Sequence, residues 1–102
     1  MSLSEEEIAF ARDLFAGLGN VTTRKMFGGL SLYQNGTIFA VLRSDGVILI
    51  KGAGAFADVL RAEGCTQWRE GKGTMPYFTL PDAALDDPEE ACDWARRALE
   101  HL

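Results

Sequence analysis

The sequence predicts a mixed α+β domain, with three helices around an antiparallel sheet in the order α-β-β-β-β-α-β-β-α. Three observations lead to it. Asn35-Gly36 and Asp45-Gly46 separate short runs rich in Leu, Ile, Val and Phe, and such pairs supply the positive φ that tight hairpin turns require. Segments at both ends and one in the middle show apolar residues at helical spacing. The 102 residues, 47% hydrophobic and 25% charged, suit one globular domain, so residues 1–102 are read as a single unit without repeats or linker.

The first helix is expected over about Glu5 to Leu18. Ser4 and Glu7 form a capping box, and Glu5 and Glu6 place negative charge where the helix dipole favours it. Ile8, Ala11, Phe15 and Leu18, with Leu14 beside them, make its apolar stripe. A strand over Val21 to Phe27 follows and ends at Gly28-Gly29. Paired glycines there indicate a bulge or bend, or a place where a ligand or another backbone comes close.

Three strands over Leu30 to Lys51 form the centre of the sheet. Two-residue turns would put Leu30, Leu32, Phe39, Val41, Ile48 and Ile50 on one face. The other face would carry Ser31, Tyr33, Ile38, Ala40, Leu42, Val47, Leu49 and Lys51. That second face is too apolar for a surface left in water, so a helix or another subunit should cover it. Gly52-Ala53-Gly54-Ala55-Phe56-Ala57 matches G-x-G-x-x-A, but the strand before it closes an antiparallel series and not a βαβ unit. It reads as a permissive turn, and no cofactor is expected.

A second helix spans about Gly54 to Glu63, with Phe56, Val59 and Leu60 as its stripe and Gly64 beyond its end. Thr66 to Arg69 reads as a strand with Trp68 packed inward. Met75 to Leu80 is the last strand. Pro76 lacks an N–H, so it belongs at that strand's start or on an edge. Asp87-Pro88-Glu89-Glu90 opens the third helix as cap, first residue and acidic turn. Ala91, Trp94, Ala95, Ala98 and Leu102 line one face of it.

The chemistry-bearing residues are few. The single histidine, His101, sits next to the terminus, where a held acid–base geometry is hard to maintain. Cys65 and Cys92 show no zinc spacing and read as reduced thiols of a cytoplasmic protein. No apolar run is long enough to cross a membrane, and the acidic N-terminus does not resemble a secretory signal. The acidic runs at helix starts are explained by capping. No catalytic residue, metal site or cofactor site is assigned, and the chain is expected not to be an enzyme. The net charge of −5 argues against generic phosphate binding. Arg24, Lys25, Arg69 and Lys72, with Tyr33, Trp68 and Tyr77 nearby, leave a small basic patch suited to single-stranded nucleic acid or, more plainly, a solvated sheet edge.

Thr23-Arg24-Lys25-Met26-Phe27-Gly28-Gly29-Leu30, the Asn35-Gly36 hairpin, Met75-Pro76-Tyr77-Phe78 and the Trp94-bearing last helix resemble the TfoX N-terminal domain family of competence regulators. The resemblance spans nearly the whole chain. It implies a two-layer sandwich, helices packed on an antiparallel sheet, and a regulatory or protein-interaction role without established catalytic residues. Those regulators continue into a second helical domain, so a chain ending at Leu102 is expected to act as a stand-alone module. The residues expected to form its interaction site are Arg24, Lys25, Met26, Phe27, Gly28, Gly29, Tyr33, Arg69 and Tyr77. The expected partners are a second copy of the chain and a protein of the transcription machinery, with nucleic acid or a small ligand as alternatives.

Overall fold

The structure, a computed structural model, describes residues 3–26 and 28–102. It has the expected element order: α1 (Glu5–Phe15), β1 (Val21–Met26), β2 (Gly29–Gln34), β3 (Thr37–Leu42), β4 (Ile48–Lys51), α2 (Ala55–Ala62), β5 (Gln67–Glu70), β6 (Gly73–Thr79) and α3 (Pro88–Glu100). Single 3-10 turns follow α1 (Ala16–Leu18) and precede α3 (Asp82–Ala84). The six strands form one sheet, β1-β2-β3-β4-β6-β5, antiparallel throughout.

The helix starts form as their residues dictate. Ser4 Oγ accepts from Glu7 N, and Glu7 Oε1 accepts from Ser4 N, so two first-turn donors are satisfied reciprocally. Asp87 Oδ1 accepts from the N–H groups of Glu89 and Glu90, with Pro88 at the first helical position, where its missing donor costs nothing.

All three helices pack on one face of the sheet. The main core joins Ala11, Leu14 and Phe15 of α1, Phe56 and Leu60 of α2, and Ala91, Trp94, Ala95 and Ala98 of α3 to the sheet residues beneath them. Phe15 meets Phe39 edge-on, with ring centres 5.2 Å apart. The small residues of α3 let its backbone lie close to the sheet. Leu102, expected on that face, is 45% exposed, because the helix ends at Glu100 and the chain turns away.

The central faces differ from the sequence expectation. Asn35 and Gly36 both have positive φ and form the two-residue turn as expected. The second turn holds three residues, Ser44-Asp45-Gly46, with Arg43 paired to Val47 and Gly46 at φ 90°. A bulge also lies in β3: Tyr33 pairs with Ile38 but Leu32 pairs with Ala40, so Phe39 is the extra residue. Beyond the bulge every side chain of β3 changes face. Ala40 and Leu42 join Leu30, Leu32, Phe39, Ile48 and Ile50 under the helices, and Val41 moves to the opposite face. The three-residue turn restores the phase, so β4 keeps its expected orientation.

Pro76 also differs. It lies inside β6, an interior strand, beside a second irregularity where Gln67 and Arg69 of β5 face Phe78 and Thr74. Its carbonyl accepts from Gly52 N, just past the end of β4, and the Gln67 side chain donates to Met75 O across the irregularity. The missing proline donor therefore falls where β4 has already ended. Gly52, the first glycine of the G-x-G-x-x-A match, serves packing. A Cβ there would stand 2.7 Å from the Phe78 ring and 2.9 Å from Leu60.

Candidate functional site: the open face of the sheet

The face away from the helices is a site of its own. Val41, Leu49 and Tyr77 form a second small core, with Ile38, Val47, Trp68 and Met75 packed against it. Leu49 is only 1% exposed, although no helix lies over it. The aromatic and sulfur-bearing side chains of β5 and β6 fold over the strand centres, so this one chain covers much of the apolar face that the sequence left in need of a partner.

What remains open is a groove of about 740 Å³ along β2, β3, β5 and β6. Met26, Ile38, Val41, Trp68, Met75 and Tyr77 give it apolar walls. Trp68 and Tyr77 meet nearly edge-on, with ring centres 6.4 Å apart. Such a volume is typical of small-molecule sites.

The groove also has polar groups. Ser31 lies at its floor, 1% exposed, and Ser31 Oγ has no hydrogen-bond partner. At the rim, Arg43 grips Asp45 with two nitrogens, Nε to Oδ1 at 2.9 Å. The same guanidinium lies over Trp68, 5.8 Å from the ring centre. The hydrogen bond from Arg43 holds the Asp45 carboxyl below its ordinary value. Burial, with a smaller contribution from nearby Tyr33, pushes the Tyr77 phenol above its ordinary value of 10.0. Arg69 and Glu70 complete the rim.

Of the expected interaction residues, Met26, Gly29, Arg69 and Tyr77 line this groove. Arg24 pairs with Ser31 and Tyr33 with Ile38, so both lie on the same face outside it. Gly28 is in the turn after β1, and Phe27 lies outside the described residues. Lys25 does not join the others. It pairs with Leu30, a residue of the helix-side core, because alternation along β1 sends Arg24 and Lys25 to opposite faces. Trp68, expected inward, packs on the open face.

Ser31, Arg43 and Asp45 were not among the site residues expected from the sequence. Ser31 could have been found from its place on a face otherwise apolar. Arg43 and Asp45 could not, because the turn that pairs them and sets Arg43 over Trp68 is one residue longer than expected.

Charge is strongly sorted between the layers. Thirteen of the fifteen acidic residues lie on helices and the loops beside them; Asp45 and Glu70 are the exceptions. Six of the ten basic residues, Arg24, Lys25, Arg43, Lys51, Arg69 and Lys72, lie on strands and hairpin turns. The sheet of this acidic protein is therefore cationic. Among the described residues no group of three or more His, Cys, Asp or Glu could hold a metal ion, and no helix is long and apolar enough to cross a membrane.

The TfoX N-terminal domain model matches residues 13–102, nearly the whole chain. No curated protein matches it.

Proposed function

The chain belongs to the TfoX N-terminal domain family, and from that footing we propose that it is a non-enzymatic regulatory module of the cytoplasm whose working surface is the open face of its sheet. One observation carries the reading: the helix-free face holds both a groove and the cations Arg24, Arg43 and Lys51, while all the acidic groups but Asp45 and Glu70 lie on the helical layer. A surface sorted in this way suits recognition of something anionic or amphipathic. Among the described residues this face offers no nucleophile paired with a base and no paired carboxylates held for acid–base work, and that favours binding as its role.

A protein of the transcription machinery, such as an acidic segment, fits this surface through complementary charge. Transcript profiling of the native host tests the reading. A strain carrying Arg24→Glu and Lys51→Glu should reproduce the profile of a deletion strain, whereas Glu89→Gln and Asp93→Asn on α3 should leave it unchanged. A wild-type profile from the sheet variants would remove the open face as the working surface.

A second reading, ligand sensing, is favoured by the unpartnered Ser31 hydroxyl at the groove floor. The nucleic-acid reading has less support. Arg43 covers the Trp68 face and Tyr77 is buried, so the two rings nearest the cations offer no free stacking platform. The homodimer loses its original motive, because the second face is largely covered from within.

A further inference from the structure

We propose that the open-face groove takes a small uncharged aromatic molecule bearing a carbonyl or hydroxyl oxygen. This deepens the ligand-sensing reading and rests on it. Four observations fix the chemistry of the occupant.

The first is size. A concavity of about 740 Å³ suits a compact molecule far better than a flat macromolecular surface. The second is the walls. Met26, Val41, Trp68, Met75 and Tyr77 supply thioether, aliphatic and aromatic contact. Ring edges and methionine sulfurs pack well against a flat aromatic body.

The third is the floor. Ser31 Oγ is buried without a partner, and neither of its cross-strand neighbours, Arg24 and Val41, bonds it. A hydroxyl left unpaired away from water is costly. A carbonyl or hydroxyl oxygen of the occupant would satisfy it. The hydroxyl is closed to water, so the occupant reaches it by moving a lining side chain. Met26, 41% exposed, and half-buried Met75 are unbranched and yield readily.

The fourth is charge, which argues against an ion. Arg43 is held on Asp45 through two nitrogens, and Glu70 adds weakly to the field that keeps the guanidinium charged. Arg69 pairs with Thr74 and alternates with Trp68, so its side chain belongs to the helix side of β5. Arg24 and Lys51 share the open face but do not line the groove. An anion at the mouth would meet Asp45 and Glu70, and a cation would meet Arg43 over the Trp68 ring.

A second copy of the chain is a poor occupant, because it would bring Arg24 and Lys51 against their own kind. An oligonucleotide is also poor, because its phosphates would face the two rim carboxylates.

The test titrates the full chain with three fluorescent dyes built on one ring system. Propionyl-dimethylaminonaphthalene carries a single carbonyl, dimethylaminonaphthalene lacks it, and dimethylaminonaphthalene sulfonate is an anion. The carbonyl dye should saturate at one site and bind about tenfold tighter than the parent, the worth of one hydrogen bond to an unpaired buried hydroxyl. The sulfonate should bind no tighter than the parent. Ser31→Ala should remove the carbonyl preference and leave the parent's affinity unchanged. It should not lower the melting temperature, which separates loss of a ligand contact from loss of folding. Val41→Phe should abolish binding of both neutral dyes by filling the groove. Should that variant fail to fold, Met26→Trp narrows the groove from an exposed wall and should weaken both several-fold. Arg24→Glu with Lys51→Glu should leave the carbonyl dye bound as before.

Absence of saturable binding, a sulfonate that binds tighter than the carbonyl dye, or a carbonyl preference that survives Ser31→Ala would overturn the proposal. So would undiminished binding by the groove-filling variants, or loss of the carbonyl dye with Arg24 and Lys51. Should no dye saturate while the sheet variants still alter transcripts, the ligand class falls and the working face stands. Should the transcripts stay wild type while the carbonyl dye binds through Ser31, the reverse holds.

Discussion

At the scale of the residue, two buried polar groups carry consequences that can be measured. Ser31 Oγ sits in the interior without a partner. Removing an unsatisfied hydroxyl while keeping the Cβ should stabilise, so Ser31→Ala is expected to raise unfolding free energy by about 1 kcal/mol. Urea titration reads this directly, and a loss of similar size would mean that the hydroxyl has a structural partner. Tyr77 is the other. Burial raises its pKa in the folded chain, so the unfolded chain releases the phenolic proton first as pH rises. Its stabilising contribution is complete below the ordinary phenol value of 10.0 and is lost as pH climbs from there through the folded pKa. Tyr77→Phe should therefore flatten the fall in stability above pH 10.0, measured as melting temperature against pH. The Arg43–Asp45 pair acts at the acid end with the opposite sign. The depressed Asp45 pKa gives support above the ordinary carboxylate range that disappears as pH falls through the folded value. The effect is small, because both partners are well exposed to solvent.

At the scale of the element, legibility followed from how local each signal is. The capping box at Ser4 and the Asp87-Pro88 start were readable, since each rests on side chains within three residues of the groups they satisfy. The Asn35-Gly36 turn was readable for the same reason. The faces of β3 were not. They depend on whether one residue, Phe39, is squeezed out of the ladder, and that is decided by what lies under the sheet. Taking Phe39 out of register lets it meet Phe15 while Ala40 and Leu42 still reach the helices. Shape complementarity across the core outweighed strict alternation, and no local pattern encodes it. Much of the groove was hidden behind the same shift, because Val41 reaches its wall only after the bulge. Gly52 gives an element-scale test of the tight α2–β6 contact. Gly52→Ala forces a methyl against Phe78 and Leu60 and should cost about 1–3 kcal/mol by overpacking. Thermal melts would show it as a lower midpoint. An unchanged midpoint would mean that the glycine serves a ligand or a turn, and the dinucleotide-like spacing would then regain interest.

At the scale of the molecule, sorting of charge between the two layers decides how the domain should meet itself and its partners. The open face is cationic and the helical layer strongly acidic. Two copies meeting sheet to sheet would bring Arg24 and Lys51 against their own kind. The free edge of β1 also bears Arg24 and Lys25, a common way of blocking strand addition. Sheet-to-sheet and edge-to-edge association are both opposed, and the strand centres are already covered from within. Sedimentation at micromolar concentration should therefore give a monomer, including at low salt, where repulsion reaches furthest. Raising the salt should leave the monomer in place but weaken any acidic partner, because the Debye length shortens from about 30 Å at 0.01 M to about 10 Å at 0.1 M. A dimer that tightens with salt would point instead to an apolar interface on the open face, and the cations would then surround a self-docking surface. A dimer that dissolves with salt would mean that the acidic helices of one copy dock on the cationic sheet of the next. That head-to-tail contact leaves one face of each kind unpaired unless the assembly closes into a ring, so it should appear as growth beyond two copies with rising concentration.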